Sequence, residues 1–215
     1  MSILVVAATQ MEIQPFLNQN RNAGVLITGV GVPGTIFHLT KKLSEKSYDM
    51  AIQAGIAGSF GNDIKTGDVV IIEKDTFADL GIYEKGRFYT LSDAGFQNKN
   101  DVPFEGEWLV NKNVNDENFR LHPCLAGRRV ADGLTVNTVT DDEKRIGLLR
   151  EKFNAGVESM EGAAFHYVCL QQKINFLQLR SISNLVGERD KSRWKMKEAI
   201  QNLNDDLIKI VQHFR

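Results

Sequence analysis

Five short runs of this chain are apolar at nearly every position: Ile3 to Ala7, Val25 to Thr28, Met50 to Ala54, Val69 to Ile72 and Phe176 to Ile182. Several are apolar on both faces, the pattern of strands in a sheet covered on both sides. Elsewhere the spacing changes. Ile36, Leu39 and Leu43 step by three and four, as do Met196, Ile200, Leu203, Leu207, Ile210 and Phe214, which predicts two amphipathic helices lying on that sheet. Thr140-Asp141-Asp142-Glu143 has the form of a capping box opening a helix with Ile146, Leu149 and Phe153 inward, and Met160 to Lys173 reads as a further helix. The segment from Ser92 to Gly127 is rich in Asn, Asp and Gly with weak periodicity, and reads as loop and short strand. The alternation predicts an α/β fold with a largely parallel or mixed sheet.

Composition adds limits to that picture. The chain has 215 residues and only 4 prolines, with no repeat, low-complexity stretch or linker, so a single domain over 1–215 is expected. With 26 basic against 27 acidic residues there is no electrostatic footprint for nucleic acid or an anionic membrane, and a small-molecule partner is expected instead. No stretch approaches the roughly 20 apolar residues that span a bilayer. The first apolar run lacks a basic leader and is soon followed by Glu12, which does not read as a signal peptide. Cys124 and Cys169 satisfy no metal or redox spacing, consistent with a reducing cytoplasm. His38, His122, His166 and His213 form no metal-ligand pair, and no serine sits in a nucleophile elbow. No metal or organic cofactor is implied.

Ligands of open α/β sheets sit beyond the carboxyl ends of the strands, where Glu12, Gly29, Gly55 and Asn184 fall in this reading. Gly29-Val30-Gly31-Val32-Pro33-Gly34 formally matches a dinucleotide fingerprint, but the next strand ends in another glycine-rich turn, Ala54-Gly55-Ile56-Ala57-Gly58-Ser59, where a ribose-binding acid should stand. Close backbone approach to a ligand and plain turn chemistry remain as its readings. Glu12 is either a solvated helix-start acid or a pocket base able to polarise a water. In Glu158-Ser159-Met160-Glu161-Gly162-Ala163-Ala164-Phe165, Glu161 opens an apolar helix; it is either a helix-start acid without a ligand or a carboxylate able to accept from two adjacent ribose hydroxyls. Arg189-Asp190-Lys191-Ser192-Arg193-Trp194-Lys195 is either a solvated charged loop or a loop folded back over the pocket. In the second case Arg189, Lys191 or Arg193 would meet an anionic substrate group and Trp194 would stack on an aromatic one.

Taken together, Ala8-Thr9-Gln10-Met11-Glu12, Gly29-Val30-Gly31, Ala54-Gly55-Ile56-Ala57-Gly58, Thr66-Gly67-Asp68-Val69-Val70, Ser159-Met160-Glu161-Gly162-Ala163-Ala164 and Arg180-Ser181-Ile182-Ser183-Asn184 resemble the purine nucleosidase and nucleoside phosphorylase superfamily. The likeness covers nearly the whole chain. Within the superfamily it points to the nucleosidases that include methylthioadenosine/S-adenosylhomocysteine nucleosidase and, more closely, to the futalosine hydrolase branch of menaquinone biosynthesis. The resemblance implies a three-layer α/β/α sandwich with a central mixed sheet, nucleoside phosphorylase-like, that forms homo-oligomers. It implies Glu12 and Asn184 as catalytic residues, with Glu12 activating water and Glu161 holding the ribose diol over Met160. Gly31, Ala57, Gly58, Val136, Ser159, Arg189 and Arg193 join Met160 and Glu161 as expected substrate-binding residues.

Relatives that act on 6-aminopurines carry Asp at the position of Asn184. An amide offers an N–H suited to the O6 and N7 acceptors of hypoxanthine, the base of futalosine. Asn184 is no ordinary proton donor, which leaves water or Asp190 to protonate the leaving base. A phosphorylase would gather Arg and Ser around an anion; the loop Thr9-Gln10-Met11 has no Arg, and Ile56 stands where a hydroxyl would help, which favours hydrolysis. An adenine nucleosidase and a non-catalytic nucleoside-binding protein are the alternatives.

Overall fold

The computed structural model describes residues 1–19, 22–61, 63–115 and 122–214. Its main sheet contains β1 (Ile3–Ala7), β2 (Gly24–Ile27), β3 (Met50–Ser59), β4 (Val69–Phe77), β7 (Leu109–Val110), β8 (Arg129–Thr135), β9 (Val157–Ser159) and β10 (Asn175–Leu185), while β5 (Gly81–Glu84) and β6 (Arg87–Thr90) form a separate hairpin. The helices are α1 (Gln14–Gln19), α2 (Val32–Glu45), α3 (Glu143–Phe153), α4 (Gly162–Gln171) and α5 (Met196–His213). The five expected apolar runs all become strands.

The continuous apolar character of β1 and β3 follows from burial on both faces. Ile3, Val5, Ala7, Met50, Ile52 and Ala54 pack toward Leu203, Leu207, Ile210 and Val211 of α5. The alternate residues Leu4, Val6 and Ala51 pack toward Leu39 of α2 and Phe165, Val168 and Cys169 of α4. Successive strand side chains point to opposite faces, so each strand serves both helical layers. This is the expected three-layer α/β/α arrangement around a mixed sheet.

The sheet also curls back on itself, which no periodicity predicts. β10 runs parallel to β3 over its whole length and antiparallel to β4; β4 and β8, and β8 and β9, pair in parallel, and β9 returns antiparallel to β3. β3, β10, β4, β8 and β9 therefore close a ring, with β1 and β2 extending the sheet from β3. Strands β8 and β9 are too short or too polar to announce themselves in the sequence. The same ring brings the carboxyl ends of β1, β3 and β10 beside β9.

Two local readings are corrected. Helix α3 is capped by Asp142, whose Oδ1 accepts from the backbone N–H of Lys144 at 2.9 Å, while Thr140 serves the turn before it by accepting from Asp142 N. The capping-box frame was thus displaced by two residues, although Ile146, Leu149 and Phe153 are buried as expected. Helix α4 begins at Gly162 and ends at Gln171. In the Ser92 to Gly127 segment the structure has β7 and a short 3-10 turn, Lys112–Asn115; residues 116–121 lie outside the described ones.

The start of α4 is tied to the sheet by a buried relay. Thr135 Oγ1 accepts from Ala163 N at 2.7 Å and donates to Asp75 Oδ1 at 2.9 Å, and Gln178 Nε2 donates to Asp75 Oδ2 at 3.2 Å. A Cβ at Gly162 would collide with Asp75 Oδ2 and Gln178 Nε2, so the missing side chain is what lets the helix start sit on this relay. Gly162→Ala should therefore lower stability by about 1 to 3 kcal/mol, the usual effect of overpacking a close-packed interior. A urea midpoint unchanged from the parent would show that the relay gives way at no cost.

Candidate active site

Glu12 stands in a 3-10 turn, Met11–Ile13, just beyond the end of β1. Its side chain is buried yet lines a cavity of about 220 Å³. That is several times the roughly 30 Å³ a water occupies in the liquid. Glu12 Oε2 accepts from Thr9 N at 2.9 Å and Thr9 Oγ1 at 2.8 Å, and Oε1 accepts from Ile56 N on β3 at 3.1 Å. A carboxylate has about four lone-pair directions, so these bonds hold it in place and leave capacity for a water.

The turn carrying Glu12 is anchored from the far end of the chain. Asn204 of α5 is fully buried; its Nδ2 donates to the carbonyl of Glu12 at 2.8 Å and its Oδ1 accepts from Phe16 N at 3.0 Å. One polar residue in an otherwise apolar helical stripe thus joins the turn to the helix. The sequence signal for it is that interruption of the stripe, to which the periodicity reading assigned no role.

Glu161 occupies the position just before α4 but makes no cap hydrogen bond. Its Oε1 accepts from Gly31 N at 3.0 Å, and its Oε2 lies 3.6 Å from Arg180 Nη1. Burial raises its pKa above the ordinary value; the Arg180 guanidinium and the Gly31 N–H pull it down, and the nearby Glu12 charge pushes it up. Arg180 is almost wholly buried and donates through Nη2 to Gln53 Oε1 at 3.0 Å. A Cβ at Gly55 would collide with Arg180 Nη1 and lie 3.1 Å from Glu12 Oε1. This glycine of β3 is therefore the opening through which Arg180 reaches the Glu161 carboxylate.

At the other side of the cavity, β10 carries a register shift between Ile182 and Asn184 where it pairs with β3. A bulge of this kind re-aims the residue beside it. Ser183 Oγ donates to Asn184 Oδ1 at 2.7 Å, and Asn184 Nδ2 donates to the Leu185 carbonyl at 2.8 Å. The Leu185 carbonyl accepts only from the nitrogen, so the amide orientation is fixed where Asn184 lines the cavity. The chain then folds back: Lys195 N donates to the Ser183 carbonyl at 2.7 Å and Trp194 Nε1 to the Glu188 carbonyl at 3.0 Å. This return places Arg189 and Trp194 on the cavity wall, the guanidinium 6.0 Å from the ring centroid.

The sequence model of the Phosphorylase superfamily matches residues 10–214. The chain belongs to that superfamily. It is similar to futalosine hydrolase of Thermus thermophilus, 30% identical over 185 residues covering 83% of this chain and 76% of the relative, and to that of Streptomyces coelicolor, 32% identical over 169 residues covering 78% and 67%. Among solved structures, the native futalosine hydrolase of Helicobacter pylori aligns with a TM-score of 0.78 at 17% identity, covering 99% of this chain and 97% of the other. The methylthioadenosine/S-adenosylhomocysteine nucleosidase of Neisseria meningitidis in complex with methylthio-immucillin-A aligns with a TM-score of 0.78 at 19% identity, covering 98% of both. At these identities the two structures establish the fold.

In this member of the phosphorylase superfamily one cavity brings together Glu12, Ala57, Gly58, Ser159, Met160, Glu161, Asn184 and Arg189. Three expected binding residues are elsewhere. Gly31 is buried with its N–H given to Glu161, so the glycine turn approaches a protein carboxylate and supports the site from behind. Val136 is fully buried in the apolar cluster with Leu134, Ile146 and Leu149. Arg193 projects outward and pairs with Glu188 Oε2 at 3.1 Å and Asp190 Oδ2 at 3.6 Å. Asp190 caps the turn Lys191–Arg193 through Ser192, which removes it as a donor to a bound base. Sequence reasoning had assigned no individual role to Arg180, Asn204 or Glu158, the last of which also lines the cavity. Among the described residues no cluster of His, Cys, Asp and Glu has the makings of a metal site, and no helix is long and apolar enough to cross a membrane.

Replacing Asn204 by Leu keeps the apolar contacts of α5 but strands the Glu12 carbonyl and the Phe16 N–H. The expected destabilisation is about 1 to 3 kcal/mol for each group left buried and unpaired. Urea unfolding measures it, and a variant as stable as the parent would mean that water replaces the amide.

Proposed function

We propose that this protein is a futalosine hydrolase: it cleaves the N-glycosidic bond of futalosine with water, releasing hypoxanthine and dehypoxanthine futalosine. The observation that carries the base assignment is Asn184 on the cavity wall, its amide oriented by Ser183 and Leu185. An N–H suits the O6 and N7 acceptors of hypoxanthine and opposes the exocyclic amine of adenine. The named relatives in Thermus thermophilus and Streptomyces coelicolor support the same substrate.

In this reading Glu12 holds a water against the anomeric carbon while Glu161 accepts from the ribose hydroxyls and Met160 packs beneath the sugar. As the bond to the base stretches, positive charge develops on the sugar as in other glycoside hydrolysis, and two nearby carboxylates stabilise it. The water oxygen bonds to the anomeric carbon, its proton passes to Glu12, and the bonding pair leaves with the base, which takes a proton from solvent. Water is the favoured nucleophile because a phosphate dianion beside Glu12 and Glu161 would meet two carboxylates. Arg180, the cation nearest them, is already engaged by Glu161 and Gln53. Arg189, with Trp194, is the candidate partner for the carboxylated aromatic end of futalosine.

The reading extends to one catalytic domain over 1–215, acting in the cytoplasm in menaquinone biosynthesis as a homo-oligomer. Exposed apolar side chains such as Phe37, Phe96 and Val102 are material for subunit contacts.

Glu12→Gln keeps the shape of the side chain and removes the base. Turnover of futalosine should fall by about 10²- to 10⁴-fold with binding largely retained, and a variant within a few-fold of the parent would take Glu12 out of the chemistry. Asn184→Asp should move preference from hypoxanthine toward adenine nucleosides, because an ionised carboxylate would face O6. Competition between inosine and methylthioadenosine reads this out, and an unchanged preference would refute the role given to the amide.

A further inference from the structure

Behind the cavity a set of buried polar groups runs from the start of α4 to β7, and its hydrogen bonds balance in one protonation state. Asp75 of β4 is fully buried; Oδ1 accepts from Thr135 Oγ1 at 2.9 Å, and Oδ2 lies 3.2 Å from Gln178 Nε2 of β10. Gly133 of β8 leaves room for this carboxyl, as Gly162 does, because a Cβ at either would collide with Oδ2. His166 of α4, also fully buried, places Nδ1 2.9 Å from the Leu109 carbonyl of β7. A carbonyl only accepts, so Nδ1 carries the hydrogen and Nε2 of the neutral ring is an acceptor. With Asp75 ionised and Gln178 Nε2 donating to it, Gln178 Oε1 and His166 Nε2 are both buried acceptors without a donor, although Gln178 is a hydrogen-bonding neighbour of that ring. Unpaired buried acceptors are rare and costly. A half-turn of the amide over the same heavy-atom positions removes both. Nε2 then donates to His166 Nε2, and Oε1 accepts from Asp75 Oδ2 if Asp75 carries a proton. Charge points the same way. Among the described residues the one charged group acting on Asp75 is Arg180, whose guanidinium already faces Glu161, while the rings of Phe165 and Phe176 flank His166. An ionised Asp75 would be a second buried anion sharing that cation.

We propose that Asp75 is a positioning residue that acts as a neutral acid: its proton completes a one-way chain from Ala163 N–H through Thr135, Asp75, Gln178 and His166 to the Leu109 carbonyl. The chain fixes the start of α4 and with it Met160 and Glu161, which enter the cavity just before that helix. The benefit to ribose binding rests on the hydrolase reading and deepens it. Every member donates to the next in the same sense, so each bond polarises the one that follows. Burial raises the Asp75 pKa from 3.8 to about 6, against the pull of Thr135, Gln178, the Arg180 charge and the Thr76 N–H. Turning Gln178 replaces a donor by an acceptor and holds the proton more firmly. Burial lowers the His166 pKa from 6.5 to about 4; the Arg180 charge adds to that fall, while the Leu109 carbonyl and Gln178 oppose it. The proton therefore resides on Asp75 and not on the ring. A carboxyl raised in the folded state gives stability that is fully present below 3.8 and is lost as pH rises through about 6.

Asp75→Asn copies the neutral acid, with an oxygen for Thr135 and an N–H for Gln178, and has no proton to lose. Urea unfolding of the full chain at about pH 4 and about pH 8 should show the variant's folding equilibrium constant gaining on the order of a hundred-fold relative to the parent over that interval. A gap that does not widen, or a variant that fails to fold, overturns the neutral acid. The ¹⁵N signals of the His166 ring should show a neutral imidazole with its hydrogen on Nδ1 in both proteins near neutral pH. A doubly protonated ring would move the proton to His166 and overturn it as well. The positioning role is read with inosine and 2′-deoxyinosine as competing ligands. Thr135→Val, or Thr135→Ala if the first does not fold, cuts the chain and should lower the preference for the ribonucleoside about tenfold, the worth of one hydrogen bond. Thr135→Ser, which keeps the hydroxyl, should restore it. Equal preference in the cut and restored variants would make the chain a support of the fold alone and overturn the positioning role. A parent that binds neither nucleoside removes the hydrolase reading and the positioning role with it, whereas the urea and ¹⁵N results judge the neutral acid by themselves.

Discussion

The site depends on one buried cation. Arg180 is 1% exposed, and a guanidinium in that position is tolerable only with charge and hydrogen-bond partners around it. Glu161 and Gln53 supply them for the two terminal nitrogens, while Nε is buried without a partner, and Gly55 supplies the space. In turn burial raises the Glu161 pKa, the nearby Glu12 charge adds to that rise, and the Arg180 guanidinium opposes it. Removing any member leaves the others with an uncompensated charge or a clash. The arrangement explains why β3 carries a glycine among its buried residues and why β10 must pair with β3 in one register: Arg180 lies directly opposite Gly55.

Around that cation the cavity is divided by chemistry. One end has two carboxylates, Glu12 and Glu161, held by backbone and side-chain donors. The other end has the oriented amide of Asn184 and the carboxyl group of Glu158. Closure of the five-stranded ring joins the two ends, because β9 reaches β3 only when the sheet curls back on itself. Helices act from behind: α4 starts on the Asp75 and Thr135 relay, and α5 holds the Glu12 turn through Asn204. Rigid supports of this kind are what keep reacting groups within fractions of an ångström of a productive geometry.

How far the sequence could be read follows from what its patterns record. Apolar runs and helical spacing record burial, which each residue experiences in its own segment, so the two-faced strands β1 and β3 and the amphipathic helix α5 were readable from sequence alone. Glu12, Glu161 and Asn184 were readable as polar residues at the ends of apolar runs, and their motif order identified the superfamily. What only the tertiary structure decided is partnership. Arg180 meets Gln53 and Asn204 meets Glu12 across 127 and 192 positions of chain, and no local pattern marks such pairs. Gly31 proved to serve a carboxylate, Val136 a core and Arg193 the solvent, because a residue beside a site in sequence faces it only if the backbone turns it that way. Glu158 stood in a quoted motif without a role for the same reason: the sequence states that an acid is present, and only the closed ring of strands leaves its Oε2 buried and unpaired on the cavity wall.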